Sequence, residues 1–213
     1  MTHTSTGPLV IAVAGLKGGI AKTTTSIHIA GVLASAGQRV LLADGDRIRT
    51  STAWSRGGHL PFTVAAVTAL ARARDFDAVI LDTEGGPGNT ELLEFARTAD
   101  LTVLPTSPDI NGLDGAAQTA EVLRNGQVPL ERYVALLTMV RPGGMKVIQA
   151  RRGLQRLGVP VMDASVRLSE AFRDAANAAV LVRDVKSDIA AKCWRDYREV
   201  TDEALKRVLA GRA

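Results

Sequence analysis

A loop rich in glycine, lysine and threonine lies between an apolar run and a helical pattern near the start of the chain. The run covers residues 9–14, and the helical pattern continues to residue 36. Such a loop directs backbone N–H groups and the positive end of a helix dipole at an anion. A lysine ammonium and a threonine hydroxyl would add a cation for phosphate oxygens and a ligand for Mg²⁺. The pattern predicts a nucleoside triphosphate site whose binding residues are Lys17, Gly18, Gly19, Ile20, Ala21, Lys22, Thr23 and Thr24.

Two further apolar runs end in aspartates. Residues 40–43 lead into Asp44-Gly45-Asp46, and residues 78–81 lead into Asp82. Ligands of doubly wound sheets collect at the carboxyl ends of the strands. A carboxylate that ends a hydrophobic strand is typical of a residue that holds Mg²⁺ directly or through water. One such aspartate could instead cap a loop, but together with the phosphate loop the magnesium site is favoured.

Length and composition limit the class of protein. The chain has 213 residues, of which 46% are hydrophobic, so we expect one domain over residues 9–213 after a flexible arm of residues 1–8. A single cysteine excludes a disulfide framework and an iron–sulfur cluster. With no targeting or membrane-spanning run, we expect a cytoplasmic protein. The net charge of +4 favours a polyanionic partner, although solvated lysines and arginines also explain it.

Apolar runs alternate with helical patterns along the chain. The runs at residues 9–14, 39–43, 62–67, 78–81, 101–104 and 134–138 predict strands. Helices are predicted near residues 24–36, 90–98, 112–125 and 145–157, and a last helix over residues 186–210. The alternation predicts an α/β fold, a single doubly wound, mostly parallel sheet with helices on both faces.

The phosphate loop resembles the deviant Walker A loop of the ParA/MinD family of P-loop ATPases. The likeness lies in the Lys17-Gly18-Gly19 start and the Lys22-Thr23-Thr24 end, whereas Leu16 and Ala21 stand where the generic loop has glycines. The resemblance implies ATP and Mg²⁺ as cofactors and catalytic roles for Lys17 and Lys22. It also implies that Lys17 reaches the phosphates of a second subunit, so that ATP joins a homodimer. A surface lysine is the alternative for Lys17.

The segment Asp44-Gly45-Asp46 resembles the Asp-x-Asp switch of ParA proteins. The resemblance implies that Asp46 orients the attacking water and that Asp44 lies near the Mg²⁺ shell with Thr23 and Asp82. ParA chains usually continue with Pro-Gln, where Arg47-Ile48 stand here. Residues 83–88 resemble the second switch, and a tight surface turn is the alternative.

Two arginines resemble those of the DNA surface in ParA proteins. Arg167 lies in Val166-Arg167-Leu168-Ser169-Glu170-Ala171, and Arg195 lies in the predicted last helix. The resemblance implies non-specific DNA binding, which needs phosphate contacts alone. A solvated helix face is the alternative.

The family resemblance predicts a partition ATPase of the short ParA type, associated with the nucleoid. It implies slow ATP hydrolysis that a ParB-like centromere-binding partner stimulates, which moves or spaces a plasmid or chromosome. One alternative is a MinD-like membrane switch, but residues 200–213 include Asp202 and Glu203 and no aromatic residue, which makes membrane binding unfavourable. Another is a metabolic ATP-dependent ligase on the same fold, which has no need of Lys17.

Overall fold

Seven strands form one parallel sheet in the part of the chain that the structure describes. The structure is a computed structural model, and it describes residues 7–46, 48–86, 88–141, 143 and 145–212. Most of the predicted arm, Arg47 and Pro87 therefore lie outside the described residues. The strands are β1 (Leu9–Val13), β2 (Val40–Asp44), β3 (Thr63–Ala66), β4 (Ala78–Asp82), β5 (Leu101–Thr106), β6 (Tyr133–Val140) and β7 (Val161–Arg167).

Helices cover both faces of the sheet. They are α1 (Lys22–Ser35), α2 (Thr50–Ser55), α3 (Asn89–Thr98), α4 (Ile110–Asn125), α5 (Met145–Arg156), α6 (Ala171–Asn177) and α7 (Asp188–Arg212). Short 3₁₀ segments lie at Val67–Asp75, Leu130–Arg132 and Val182–Asp184. None of the helices in the described residues combines the length and the apolar character that crossing a membrane requires.

The strand order is β3-β2-β4-β1-β5-β6-β7, so the order reverses beside β1. Ligands bind at such a reversal, outside the carboxyl ends of the strands. The register pairs Val13 of β1 with Asp82 of β4, and Asp82 in turn with Asp44 of β2. The phosphate loop and the strand-end aspartates of the sequence analysis therefore meet at one edge of the sheet.

Side chains of successive strand residues point to opposite faces of the sheet, so they pack into two different hydrophobic cores. In β1, Ile11 and Val13 pack on the face that carries α1 and α7, while Ala12 packs on the opposite face. The helices α4 and α5 cover that opposite face farther along the sheet, where Leu123 and Leu154 are buried. The predicted doubly wound architecture is confirmed.

Three elements were not predicted from the sequence, namely α2, α6 and β7. Apolar and polar residues alternate poorly along β7, which lies at the edge of the sheet. The middle of this strand is polar, and Asp163 is exposed. The helix α7 protects this edge, since the Glu203 carboxylate accepts hydrogen bonds from the backbone N–H groups of Asp163 and Ala164 at 3.1 and 2.9 Å. Covering an edge in this way prevents pairing with another chain.

Candidate functional site

The loop between β1 and α1 has the geometry of an anion cradle. Two of its residues hold positive φ angles, Gly19 at 72° and Ala21 at 66°, and α1 begins directly afterwards at Lys22. No side chain of the described residues caps this helix end. The first N–H groups of α1 therefore lack an intrahelical acceptor and can bind a phosphate.

A cavity of about 540 Å³ lies over the loop. Its wall combines the phosphate loop with the segments that follow β2 and β4. The lining residues are Gly18, Gly19, Ala21, Lys22, Thr23, Thr24, Asp46, Ile48, Thr50, Thr83, Glu84 and Gly85. Space for a side chain at Gly85 is tight, because an added Cβ would lie 3.2 Å from the Gly18 Cα. The segment after β4 thus packs directly on the phosphate loop.

Lys22 is the buried cation of this cavity. Its side chain bends back over the loop, and its Nζ donates a hydrogen bond to the Lys17 carbonyl. Burial lowers the pKa of Lys22, and the negative charges of Asp82 and Asp46 oppose that effect. Because the Lys22 ammonium lies in the wall of the cavity, it can bind an anion such as a phosphate there.

Asp82 is held by hydroxyl groups at the end of β4. Its Oδ1 accepts from the Ser26 hydroxyl at 2.9 Å and its Oδ2 from the Ser51 hydroxyl at 2.5 Å, and the Thr23 hydroxyl also donates to it. Burial nevertheless raises the pKa of Asp82 to about 6. The three hydroxyl groups oppose this rise, because they donate to the charged form of the carboxylate.

The donor set suits Mg²⁺. Thr23 and Asp82 supply hard oxygen atoms, and Mg²⁺ is commonly bound by one or two carboxylates together with substrate phosphates. Among the described residues, no group of three or more histidine, cysteine or acidic side chains could by itself hold a metal. Phosphate oxygens of a nucleotide and water molecules would complete the shell of a metal ion held here.

The two aspartates after β2 have different surroundings. Asp44 is fully buried, and its Oδ2 accepts from the backbone N–H and the hydroxyl of Thr52, at 2.9 and 2.5 Å, which holds the start of α2. Asp46 lines the cavity, and its carboxylate accepts from the Ile48 N–H at 3.0 Å and the Thr50 hydroxyl at 3.3 Å. Of the two, Asp46 is therefore the one exposed to a bound nucleotide.

Lys17 does not line the cavity over its own loop. Its side chain runs the other way, and its Nζ donates to the carbonyl of Asn111 at the start of α4. The two lysine side chains of the loop therefore lie in different places, Lys22 at the cavity and Lys17 beside α4.

A second, smaller cavity of about 270 Å³ adjoins the phosphate loop at Thr24. It lies between the ends of β6 and β7, and its walls include Met139, Leu168 and Phe172. Met139 has φ of 53°, a strained conformation for a residue with a side chain. This cavity could not be predicted from the sequence, because its walls come from segments that lie far apart in the chain and that no local pattern connects.

The two arginines assigned to a DNA surface differ sharply. Arg167 is bound by Asp196 of α7, whose two carboxylate oxygens accept from its Nε and Nη2 at 2.6 Å each. Arg195 is exposed, and no ion pair involves it among the described residues. The structure thus leaves Arg195 available to a polyanion and holds Arg167 within the fold.

Comparisons with known proteins agree with this geometry. The family described as "CobQ/CobB/MinD/ParA nucleotide binding domain" matches residues 11–182. Maintenance of carboxysome distribution protein A of Gloeobacter kilaueensis is 31% identical over 95% of this chain and 97% of its own. The chromosome-partitioning ATPase Soj of Thermus thermophilus is 30% identical over 76% of this chain and 83% of its own.

A solved structure shows the same fold. A complex of a Cyanothece McdA variant with ATP superposes with a TM-score of 0.70 at 14% identity, over 94% of this chain and 97% of that one. The likeness to ParA/MinD proteins expected from the phosphate loop is therefore confirmed by the family match and by relatives that align along most of the chain. The chain belongs to the CobQ/CobB/MinD/ParA family of nucleotide-binding domains.

Proposed function

We propose that this protein is a cargo-positioning ATPase of the ParA type. ATP and Mg²⁺ join two subunits face to face, the homodimer binds DNA non-specifically, and hydrolysis stimulated by a partner releases it. The observation that carries the proposal is the different placement of the two lysines of the loop. Lys22 lines the cavity over the phosphate loop, whereas Lys17 lies outside this cavity and contacts α4. Two relatives that align along most of the chain, one named for carboxysome distribution and one for chromosome partitioning, support positioning as the common task.

Different residues of the site bind different parts of the nucleotide. The phosphate loop and Lys22 hold the phosphates, while Thr23 and Asp82 hold Mg²⁺ with the nucleotide. Mg²⁺ neutralises negative charge on the phosphates. Asp44, at the end of β2, lies near this group and holds the start of α2 through its hydrogen bond from the Thr52 N–H. The base lies in the cavity between β6 and β7, whose mostly apolar wall next to Thr24 suits a planar ring.

Hydrolysis requires a water molecule placed in line with the terminal phosphate. Asp46 orients this water: the half-buried carboxylates of Asp46 and Glu84 both line the cavity, and the resemblance to the Asp-x-Asp switch favours Asp46. Lys17 of a second subunit adds a cation at the same phosphates, in the way that an arginine finger does. Hydrolysis is slow until Asp46 has oriented the water and Lys17 of the second subunit has reached the phosphates. A partner protein can accelerate this step.

DNA binding belongs to the face that carries α7. Arg195 is accompanied on the surface by further cations that make no ion pair among the described residues, namely Lys186, Lys192 and Arg198. A dimer doubles this basic surface, so binding depends on ATP. The partner is a ParB-like centromere-binding protein or another adaptor that connects the dimer to its cargo.

Gel shifts on several duplexes of unrelated sequence test the proposal. Wild type should bind all of them with ATP and Mg²⁺ and none without nucleotide, and light scattering should report a dimer under the same condition. Lys22→Ala is the control that should lose ATP binding in calorimetry. Asp46→Asn should bind ATP, dimerise and remain on DNA, because its amide keeps the local shape but orients the water poorly.

Three results would contradict the proposal. They are preference for one DNA sequence, equal DNA binding without nucleotide, and hydrolysis that needs a small-molecule acceptor. The last result would favour a metabolic ligase on the same fold.

A further inference from the structure

One stripe of α4 contacts the first two residues of the phosphate loop. Asn111, Gly115 and Thr119 are spaced by four residues, so they lie on the same side of the helix. The Thr119 hydroxyl accepts a hydrogen bond from the Leu16 N–H at 3.2 Å, and the Asn111 carbonyl accepts one from the Lys17 Nζ. Both contacts join segments that lie far apart in the chain.

Gly115 makes room for the Lys17 side chain. A Cβ added at Gly115 would lie 2.8 Å from the Lys17 Cδ, closer than real Cβ atoms approach other atoms, and 3.0 Å from the Lys17 Cγ. The aliphatic part of Lys17 therefore occupies the space that a side chain at position 115 would need. We call Asn111 and Gly115 the α4 slot.

Charge also favours this position. The Asp109 side chain caps α4 by accepting from the Gly112 N–H at 2.9 Å. The pKa of Asp109 is lowered mainly by hydrogen bonds from the Ser107 hydroxyl and the Gly112 N–H, and the nearby charge of Lys17 adds to the effect. The negative carboxylate offsets the unfavourable interaction between an ammonium and the positive end of a helix.

We propose that the α4 slot is a resting position for Lys17 in the nucleotide-free subunit, and that it competes with the contact of Lys17 to the second subunit. The inference rests on the proposed function. A single ammonium whose stem lies along Gly115 and which donates to Asn111 cannot reach the phosphates of another subunit at the same time. Gly115 is thus a positioning residue, and dimerisation includes the release of Lys17 from the slot.

Gly115→Ala tests the proposal because it fills the slot with one methyl group. In the nucleotide-free protein, acylation of Lys17 by an N-hydroxysuccinimide ester, followed by mass spectrometry, should become faster relative to the exposed Lys146. The dissociation constant of the ATP-dependent dimer should fall about ten- to a hundredfold. Each of the two subunits loses one hydrogen bond of its resting state, and one such loss corresponds to about three- to tenfold.

Gly153→Ala is the matched control. It makes the same change inside α5, where an added Cβ has only the Leu113 Cδ1 nearby, at 3.9 Å. It raises helix propensity equally but should alter neither the acylation of Lys17 nor the dimer. Asp109→Asn is a second variant that retains the helix cap while removing the charge, and it should change both measurements in the same direction as Gly115→Ala.

The proposal is overturned if Gly115→Ala and Asp109→Asn leave Lys17 acylation unchanged, or if acylation rises while the dimer is unchanged or weaker. Lys17→Ala separates this inference from the proposed function. If Lys17→Ala still dimerises with ATP, the proposed contact of Lys17 with the second subunit is wrong. Acylation of nucleotide-free wild type and Gly115→Ala, which both retain Lys17, still reports whether the slot holds this side chain.

Discussion

Ala21 holds a left-handed backbone conformation, with φ of 66° and ψ of 30°, immediately before α1. The loop needs this conformation to turn the chain into the helix while its N–H groups face the cavity. A residue with a Cβ is strained there by about 1–2 kcal/mol, whereas glycine adopts the same angles readily. Alanine thus occupies a left-handed position of the loop at which the generic phosphate loop has glycine.

Ala21→Gly should therefore stabilise the protein. Relief of strain outweighs the extra entropy of glycine in the unfolded chain, so the free energy of unfolding should rise by about 0.5–1 kcal/mol in urea denaturation. Ala34→Gly inside α1 is the control, and it should lower the same quantity by about 1 kcal/mol. A loss of stability at position 21 would show that the loop does not hold this conformation.

At the scale of elements, α7 and β7 are joined by the ion pair between Arg167 and Asp196. Arg167 donates three hydrogen bonds to the Asp196 carboxylate, two from its guanidinium and one from its backbone N–H. The Asp196 side chain is only 9% exposed. Removal of the arginine would leave a nearly buried charge without its partner, which is strongly destabilising.

Arg167→Met should lower the free energy of unfolding by about 2 kcal/mol, a value reduced from that of a fully buried pair because Arg167 is partly exposed. Arg195→Met, the matched control on the outer side of α7, should change it by less than about 0.5 kcal/mol. Thermal and urea unfolding measure both. Equal stability of the two variants would show that Arg167 is a free surface cation, as the family resemblance implied.

The packing of α1 against α7 depends on a buried neutral histidine. His28 is fully buried, stacks on Tyr197 with ring centroids 4.9 Å apart, and its Nε2 accepts from the Val182 N–H at 3.1 Å. Burial lowers the pKa of His28 to about 4. The unfolded chain, with the ordinary histidine pKa of about 6.5, therefore binds the proton first as the pH falls.

Acid should accordingly weaken the fold through His28. Stability from the neutral ring is fully present above pH 6.5 and decreases from there down to about pH 4. Between pH 7.5 and pH 5, wild type should lose about 2 kcal/mol more unfolding free energy than His28→Gln does. Asp82, whose raised pKa acts in the opposite direction, is present in both proteins, so its effect cancels. Equal losses in urea denaturation would show that His28 is accessible to protons in the fold.

For the molecule as a whole, the net charge of +4 is distributed unevenly. Several cations are neutralised locally, including Arg173 by Glu170 and Arg207 by Glu203. The cations around Arg195 make no such pairs among the described residues. For the DNA binding that we propose, we therefore expect the phosphate backbone to lie at this face.

Arg195→Glu should weaken DNA binding and flatten its salt dependence. The slope of log K against log salt concentration should fall by about 0.9 for each phosphate interaction that the substitution removes, because fewer counterions are released. Lys146→Glu makes an equal charge change on α5, which covers the opposite face of the sheet, and should alter the slope much less. Equal slopes for the two variants would indicate attraction to overall charge alone.

The sequence by itself determined the parts of this protein that depend on neighbouring residues. The loop from Lys17 to Thr24, the aspartates at the ends of β2 and β4, and the alternation of strands and helices are local patterns. Their physics acts over a few residues, through strand and helix periodicity and the N–H groups at the start of a helix. These patterns were enough to predict the family and the doubly wound sheet. They also predicted that Asp82 lies close to the phosphate loop.

Only the tertiary structure decided which partners the charged groups have. The pairing of Arg167 with Asp196, the position of Lys17 along Gly115, and the cavity between β6 and β7 each join segments that lie far apart in the chain. The edge strand β7 belongs here too, because α7 covers it and its own sequence has little alternation. Such contacts depend on how the helices pack on the sheet, and no local pattern records which distant residue will fill a given space or neutralise a given charge.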